Sequence, residues 1–150
     1  MAKVVEEDKR FVASYLNIKE QELFFKLQVS EQRHCINVAY DVNNHIEGES
    51  RDYLIRLALL HDIGKVGIKL TPIDKAILVV LDKLTKGKLR KHSRYKKIHV
   101  YYNHGEIGYK LLQAMGRYNQ EFLKRVRDHH SNGNTEDEVL RILQKWDDKN

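Results

Sequence analysis

Residues 50–65 read SRDYLIRLALLHDIGK: an apolar run, Leu57–Leu60, leads directly into the polar pair His61-Asp62, with Gly64 close behind. Ser50 is a good capping residue, so the stretch predicts a helix over Arg51–His61 that ends near the glycine. A helix whose last turn is so apolar faces a core. A histidine and an aspartate carried into that core cost free energy unless something there meets them.

The rest of the chain has the same character. It has one proline and eight glycines in 150 residues, and its apolar residues recur at intervals of three and four, the spacing of a buried helical stripe. A first helix is expected between about residues 6 and 28, broken near Asn17, with Phe11, Tyr15, Leu23, Phe24 and Leu27 on its apolar side. Ser30 is the expected cap of a helix from Glu31 to about Ile46. Thr71-Pro72 marks the start of another that runs to about Leu84, because proline's missing N–H costs nothing in a first turn. Further helices are expected at Gly105–Met115, at Asn119–His130 and from Glu136 to about Asp147, the last two separated by Ser-Asn-Gly-Asn at 131–134. The basic stretch ending at Lys97 reads as a loop.

Composition narrows the class. With 41% hydrophobic and 9% aromatic residues the chain can bury a real core, and its length suits one domain. The longest uninterrupted apolar run, Ala76–Leu81, is far short of the roughly 18 residues a membrane span needs. The single cysteine, Cys35, offers neither an internal disulfide nor a Cys-x-x-Cys zinc pair and reads as a small buried hydrophobe. With no secretory signal pattern at the opening residues, a cytoplasmic location is expected. The net charge is +6, and seven of the 27 basic residues lie between Lys86 and Lys97, with Tyr95 among them and no acid. That run reads either as a solvated loop or as a basic lid that draws in an anion; one aromatic is too few for a single-strand stacking platform, so nucleic acid is not the favoured partner.

The placement of the histidines carries the functional signal. His34 falls mid-helix, His61-Asp62 and His129-His130 end helices, His104 stands before one, and Asp147 ends the last, each beside apolar neighbours that face the core. Divalent cations shared among several helices would satisfy all seven, and nitrogen with carboxylate oxygen suits Mn, Fe, Zn, Co or Ni rather than Mg or Ca. Helical neighbours point about 100° apart, so each adjacent pair reaches one cluster only at a helix end or if the cluster holds two ions. Asp62 is then the natural bridge. Asp147 is preferred over Asp148 because it follows the Ile142-Leu143 apolar face more closely. His45, His92 and His99 match no motif position and read as solvated.

The order His34, His61-Asp62, Asp147, with the HDIG run His61-Asp62-Ile63-Gly64, resembles the signature of the HD phosphohydrolase superfamily. His104 and His129-His130 resemble the additional ligands of its binuclear branch, which includes the HD-GYP phosphodiesterases. The chain has no Gly-Tyr-Pro tripeptide, so the resemblance implies two metals without implying cyclic-di-GMP specificity. It implies an all-α, single-domain HD-type bundle over residues 30–150, with a helical extension at 1–29 packed on it. His34, His61, Asp62 and Asp147 would hold one metal, and Asp62, His104, His129 and His130 the second, Mn or Fe foremost. Lys65 would touch a substrate phosphate.

The expected activity is therefore metal-dependent phosphohydrolysis, as a phosphodiesterase acting on a nucleotide or dinucleotide-like ester through a metal-activated hydroxide. Asp62 would orient the metals and take up the water's proton, and Lys65 would balance the developing charge. The alternatives are a mononuclear 5'-nucleotidase or phosphomonoesterase, and a regulatory module that binds a nucleotide or another anion without catalysis. The segment ahead of His34 is a further candidate, as a homodimer face.

Overall fold

The computed structural model describes residues 1–131 and 135–150, apart from the Pro72 side chain; most of the expected 131–134 separator lies outside the described residues. The described residues form eight α-helices and no strand: α1 Glu6–Tyr15, α2 Ile18–Phe24, α3 Val29–His45, α4 Ser50–Leu60, α5 Pro72–Leu84, α6 Lys96–Met115, α7 Gln120–Asp128 and α8 Glu138–Lys149. Short 3-10 turns follow α4 at Ile63–Lys65 and α5 at Lys88–His92.

Helix α4 lies at the centre. Leu54, Ile55 and Leu57–Leu60 are fully buried, as expected of a helix apolar almost all round. It packs along α3 and also meets α1, α7 and α8. The N-terminal segment breaks at Asn17 as expected: the Asn17 Oδ1 accepts from the Glu20 N–H at 3.0 Å, and the Glu20 carboxylate accepts from the Asn17 N–H at 2.8 Å. Val12, Leu16, Phe24 and Leu27 on this segment belong to the main core, so its apolar face is covered within the chain itself. Buried Asp8 pairs with Arg33, and buried Glu20 pairs with Arg56 at 2.9 Å and accepts from the Tyr118 hydroxyl at 2.5 Å, tying α1 and α2 to the bundle.

Several boundaries differ from those the sequence suggests. Helix α3 starts at Val29 with Gln28 at its cap position, two residues earlier than the Ser30 cap expected, where the buried Gln32 amide folds back to donate to the Leu27 carbonyl at 2.8 Å. Helix α4 includes Ser50, and α8 is capped by Asp137, whose carboxylate accepts from the Leu140 N–H at 3.1 Å. The Thr71 hydroxyl caps α5 as expected, and Asn119 caps α7.

The largest difference is in α6, which starts at Lys96 rather than Gly105 and places His104 inside a helix. The basic run is accordingly a 3-10 turn followed by a helix start. It is anchored by Leu89, which packs with Leu70, Leu78 and Val100 in a second, smaller core. One leucine among seven cations is a weak periodic signal, but its burial sets the path of the segment.

Two glycines let the backbones close up. A Cβ on Gly64 would lie 1.8 Å from the His104 carbonyl oxygen, and one on Gly105 would lie 2.3 Å from the Arg127 carbonyl oxygen. The turn after α4 and the end of α7 thus both press directly onto α6.

Candidate metal centre

The helix ends resolve the problem of the adjacent pairs. His61 is the C-cap of α4, and Asp62 leaves the helix (φ −97°, ψ 12°) into the 3-10 turn. His129 is likewise the C-cap of α7, with His130 just beyond it. His34 comes from the middle of α3, His104 from α6 and Asp147 from α8. All seven expected residues meet, in two groups: His34, His61 and Asp147, and Asp62, His104, His129 and His130.

Asp62 stands between the groups and turns one oxygen to each. Its Oδ2 lies 3.7 Å from His34 Nε2 and 3.5 Å from His61 Nε2. Its Oδ1 lies 3.3 Å from His104 Nε2 and 3.4 Å from His129 Nε2. Asp147 Oδ1 lies 2.8 Å from His34 Nε2 and 3.4 Å from His61 Nε2, and its Oδ2 is 3.9 Å from His130 Nδ1. Asp148 is exposed, so of the two neighbours only Asp147 reaches the cluster.

The ring tautomers are set from behind. His61 Nδ1–H donates to the Ala58 carbonyl at 2.7 Å, His104 Nδ1–H to Val100 at 3.0 Å and His129 Nδ1–H to Val126 at 2.6 Å. Each ring therefore directs its Nε2 inward, as a backbone carbonyl behind the ring does for metal-ligating histidines. The Nε2 atoms of His61, His104 and His129 and the Oδ1 of Asp62 are buried without a hydrogen-bond partner. Four such orphans at one point would be a large uncompensated cost, and a cation is the species that satisfies imidazole lone pairs and a carboxylate together.

The charges follow the same pattern. Burial works against the Asp62 anion, but Lys65, His61, His129 and His104 more than offset it and hold the carboxyl well below the usual range. Asp147 is likewise held low despite burial, by His34 and His61. Burial alone would lower His61, yet Asp62 and Asp147 raise it to about 8. His104, where burial dominates, falls to about 3, and His130 falls to about 4 for the same main reason. Cys35 lies beside the cluster, but burial raises its thiol well above its ordinary value, in keeping with a packing role.

Lys65 does not project freely from its turn. Its ammonium is held 2.6 Å from Asp62 Oδ2 and 3.1 Å from Glu31 Oε2, and Glu31 also pairs with Lys75. Glu31 and Lys75 were not singled out in the sequence; the available signal was that Glu31 sits one turn ahead of His34 on α3. His45, His92 and His99 are exposed, as expected.

Beside the second group opens a cavity of about 630 Å³, lined by His104, His129 and His130 together with Lys65, Lys75, Arg90 and Arg127 and by Tyr101, Tyr102 and Asn103. The Arg90 guanidinium stacks over the Tyr102 ring at 5.1 Å, so one member of the basic run does reach this wall.

The HD domain family model matches residues 32–149. The chain belongs to the HD domain family. No curated protein and no solved structure matches it significantly. The match spans all seven clustered residues of this HD domain and starts one residue after Glu31. Family membership and the clustered ligands together point to metal-dependent phosphohydrolase chemistry. No helix among the described residues is long and apolar enough to cross a membrane.

Proposed function

We propose that this HD domain is a two-metal phosphodiesterase acting on a nucleotide-like phosphate ester. One observation carries the reading: Asp62 presents its two oxygens to two separate groups of inward-facing histidine nitrogens, the arrangement a carboxylate bridging two ions requires. His34, His61, Asp62 and Asp147 would hold one ion, and Asp62, His104, His129 and His130 the other. A pair of such ions supplies Lewis acidity and an activated water for attack on phosphorus.

The protein side chains do the remainder. Asp62, held ionised, is suited to ligation and orientation rather than to lasting proton uptake. Lys65 sits against Asp62 on the cavity wall, where its charge would lie beside an incoming phosphoryl group. Lys75, Arg90 and Arg127 add positive charge around the same opening, as a substrate carrying more than one phosphate charge needs. Tyr101 and Tyr102 supply aromatic surface on which a base can rest.

The test is turnover of bis(p-nitrophenyl) phosphate and of p-nitrophenyl phosphate by protein loaded with Mn or Fe, followed by cyclic and linear dinucleotides. Diester hydrolysis abolished by chelation supports the proposal. Turnover of the monoester alone favours the mononuclear nucleotidase, and salt-sensitive nucleotide binding without turnover favours the regulatory module.

A further inference from the structure

Helix α5 carries most of its apolar residues on its outer side. Its inner face is committed to the protein: Lys75 pairs with Glu31, Leu78 is buried in the small core, and Asp82 accepts from the Tyr102 hydroxyl. Opposite to these, Ile73, Ile77, Val80 and Leu84 recur at intervals of four, three and four, the spacing of a helix–helix seam. They are 72%, 52%, 54% and 75% exposed, with Leu81 exposed beside them. An apolar stripe of this length turned outward marks a contact surface.

The sequence of α5 indicates which partner. About the midpoint between Leu78 and Val79, every residue has a complement at the same distance on the other side: Ile77 with Val80, Ala76 with Leu81, Lys75 with Asp82, Asp74 with Lys83 and Ile73 with Leu84. Apolar matches apolar, and each acid matches a base. An antiparallel copy of the same helix therefore sets Ile73 at the level of Leu84 and Ile77 at the level of Val80. Each end of the pair carries one Asp74 and one Lys83 from opposite copies, so no like charges gather and the helix dipoles oppose. This is the self-complementarity that a two-fold, isologous interface demands.

The five side chains form one continuous apolar strip along the helix, long enough for two copies to lie side by side over about three turns. We infer that the outer face of α5 is a homodimer interface, with the two helices antiparallel about the Leu78–Val79 midpoint. Because Lys75, Val79 and Asp82 of α5 line the cavity, the second copy would brace one wall of the candidate site.

The experiment is mass by light scattering over a dilution series, on wild type and on Ile77→Asp/Val80→Asp, with circular dichroism to confirm that the variant folds. The inference expects twice the 17.7 kDa chain mass for wild type at the higher concentrations and the chain mass for the variant. A wild type that stays monomeric throughout overturns it, as does a folded variant that still dimerises. Cysteine pairing tests the orientation. Like residues at position 73 of the two copies would lie about 16 Å apart along the axis, too far for a disulfide. Ile73→Cys chains should therefore cross-link when mixed with Leu84→Cys chains but not with themselves; self-linkage of Ile73→Cys overturns the antiparallel arrangement. A monomer that floats with anionic vesicles and loses this on Ile77→Asp/Val80→Asp substitution assigns the face to lipid and also overturns it.

Discussion

Gly64→Ala tests how the site is assembled, because it adds one methyl where two backbones touch. The new Cβ would lie 1.8 Å from the His104 carbonyl oxygen and 2.7 Å from the Gly108 nitrogen. Carbon–oxygen contacts relax only beyond about 3.3 Å, so the turn and α6 must separate by more than about 1 Å. The obstacle is backbone on both sides, which no rotamer change relieves. Overpacking of this kind costs about 1–3 kcal/mol and sometimes more. At the upper figure, Tm falls by about 6–12 °C for a chain of this size.

The same separation moves His104 Nε2 away from Asp62 Oδ1, from 3.3 Å to beyond about 4 Å, and weakens the second ligand group. His34, His61 and Asp147 form the other group and do not include His104, so they are expected to keep their arrangement. The assays are a thermal melt and metal content per chain, with Gly67→Ala as the control. That control position has open space around it and φ of 81°, so it carries only the left-handed backbone cost of about 1–2 kcal/mol. Both variants are expected to melt below wild type, but only Gly64→Ala is expected to lose metal, about half of it. A variant that melts with wild type and keeps its full metal content refutes the close-approach argument.

Three further outcomes follow from the charges and caps. Lys65→Met leaves Asp62 and Glu31, both buried, without their shared ammonium and should cost the metal-free chain about 3–5 kcal/mol, with a smaller loss once cations are bound; equal Tm losses with and without metal would contradict the arrangement. In chelator, stability should peak near pH 6.5. His61, raised to about 8, contributes stability that is lost as the pH rises from 6.5 through 8, whereas His104, lowered to about 3, stays neutral where the unfolded chain takes a proton, so stability also falls below 6.5; a melt series from pH 5 to 9 with no maximum would refute this. Asn17→Ala removes the cap that restarts the chain as α2 and should cost about 1 kcal/mol without changing metal content, measured by urea unfolding beside elemental analysis.

The helical architecture, the break at Asn17 and the Thr71 cap were legible because each depends on local chemistry that a short window contains. The convergence of His34, His61, Asp62, His104, His129, His130 and Asp147 was legible for another reason: polar groups set beside apolar faces have to be met inside the core. What a single window could not show was how elements approach one another. The early start of α6 depends on Leu89 and Val100 packing with Leu70 and Leu78, contacts made across the chain. Glu31 looked like an ordinary first-turn acid until α3 was laid against the turn that carries Lys65. Lys65 was expected to face a phosphate; what the fold shows is the counter-ion of two buried carboxylates. The longest apolar run, Ala76–Leu81, was visible in the sequence and includes part of the α5 stripe, but only the folded chain shows that all of it except Leu78 is exposed.

If Asp62 is shared by two cations, as proposed, the metal content per chain must show it. Protein prepared anaerobically and reconstituted with Mn or Fe should hold about two ions per chain by elemental analysis, and Asp62→Ala should hold almost none, since both groups lose their common carboxylate. A wild type with one ion or none, or an Asp62→Ala chain that retains both, would contradict the account.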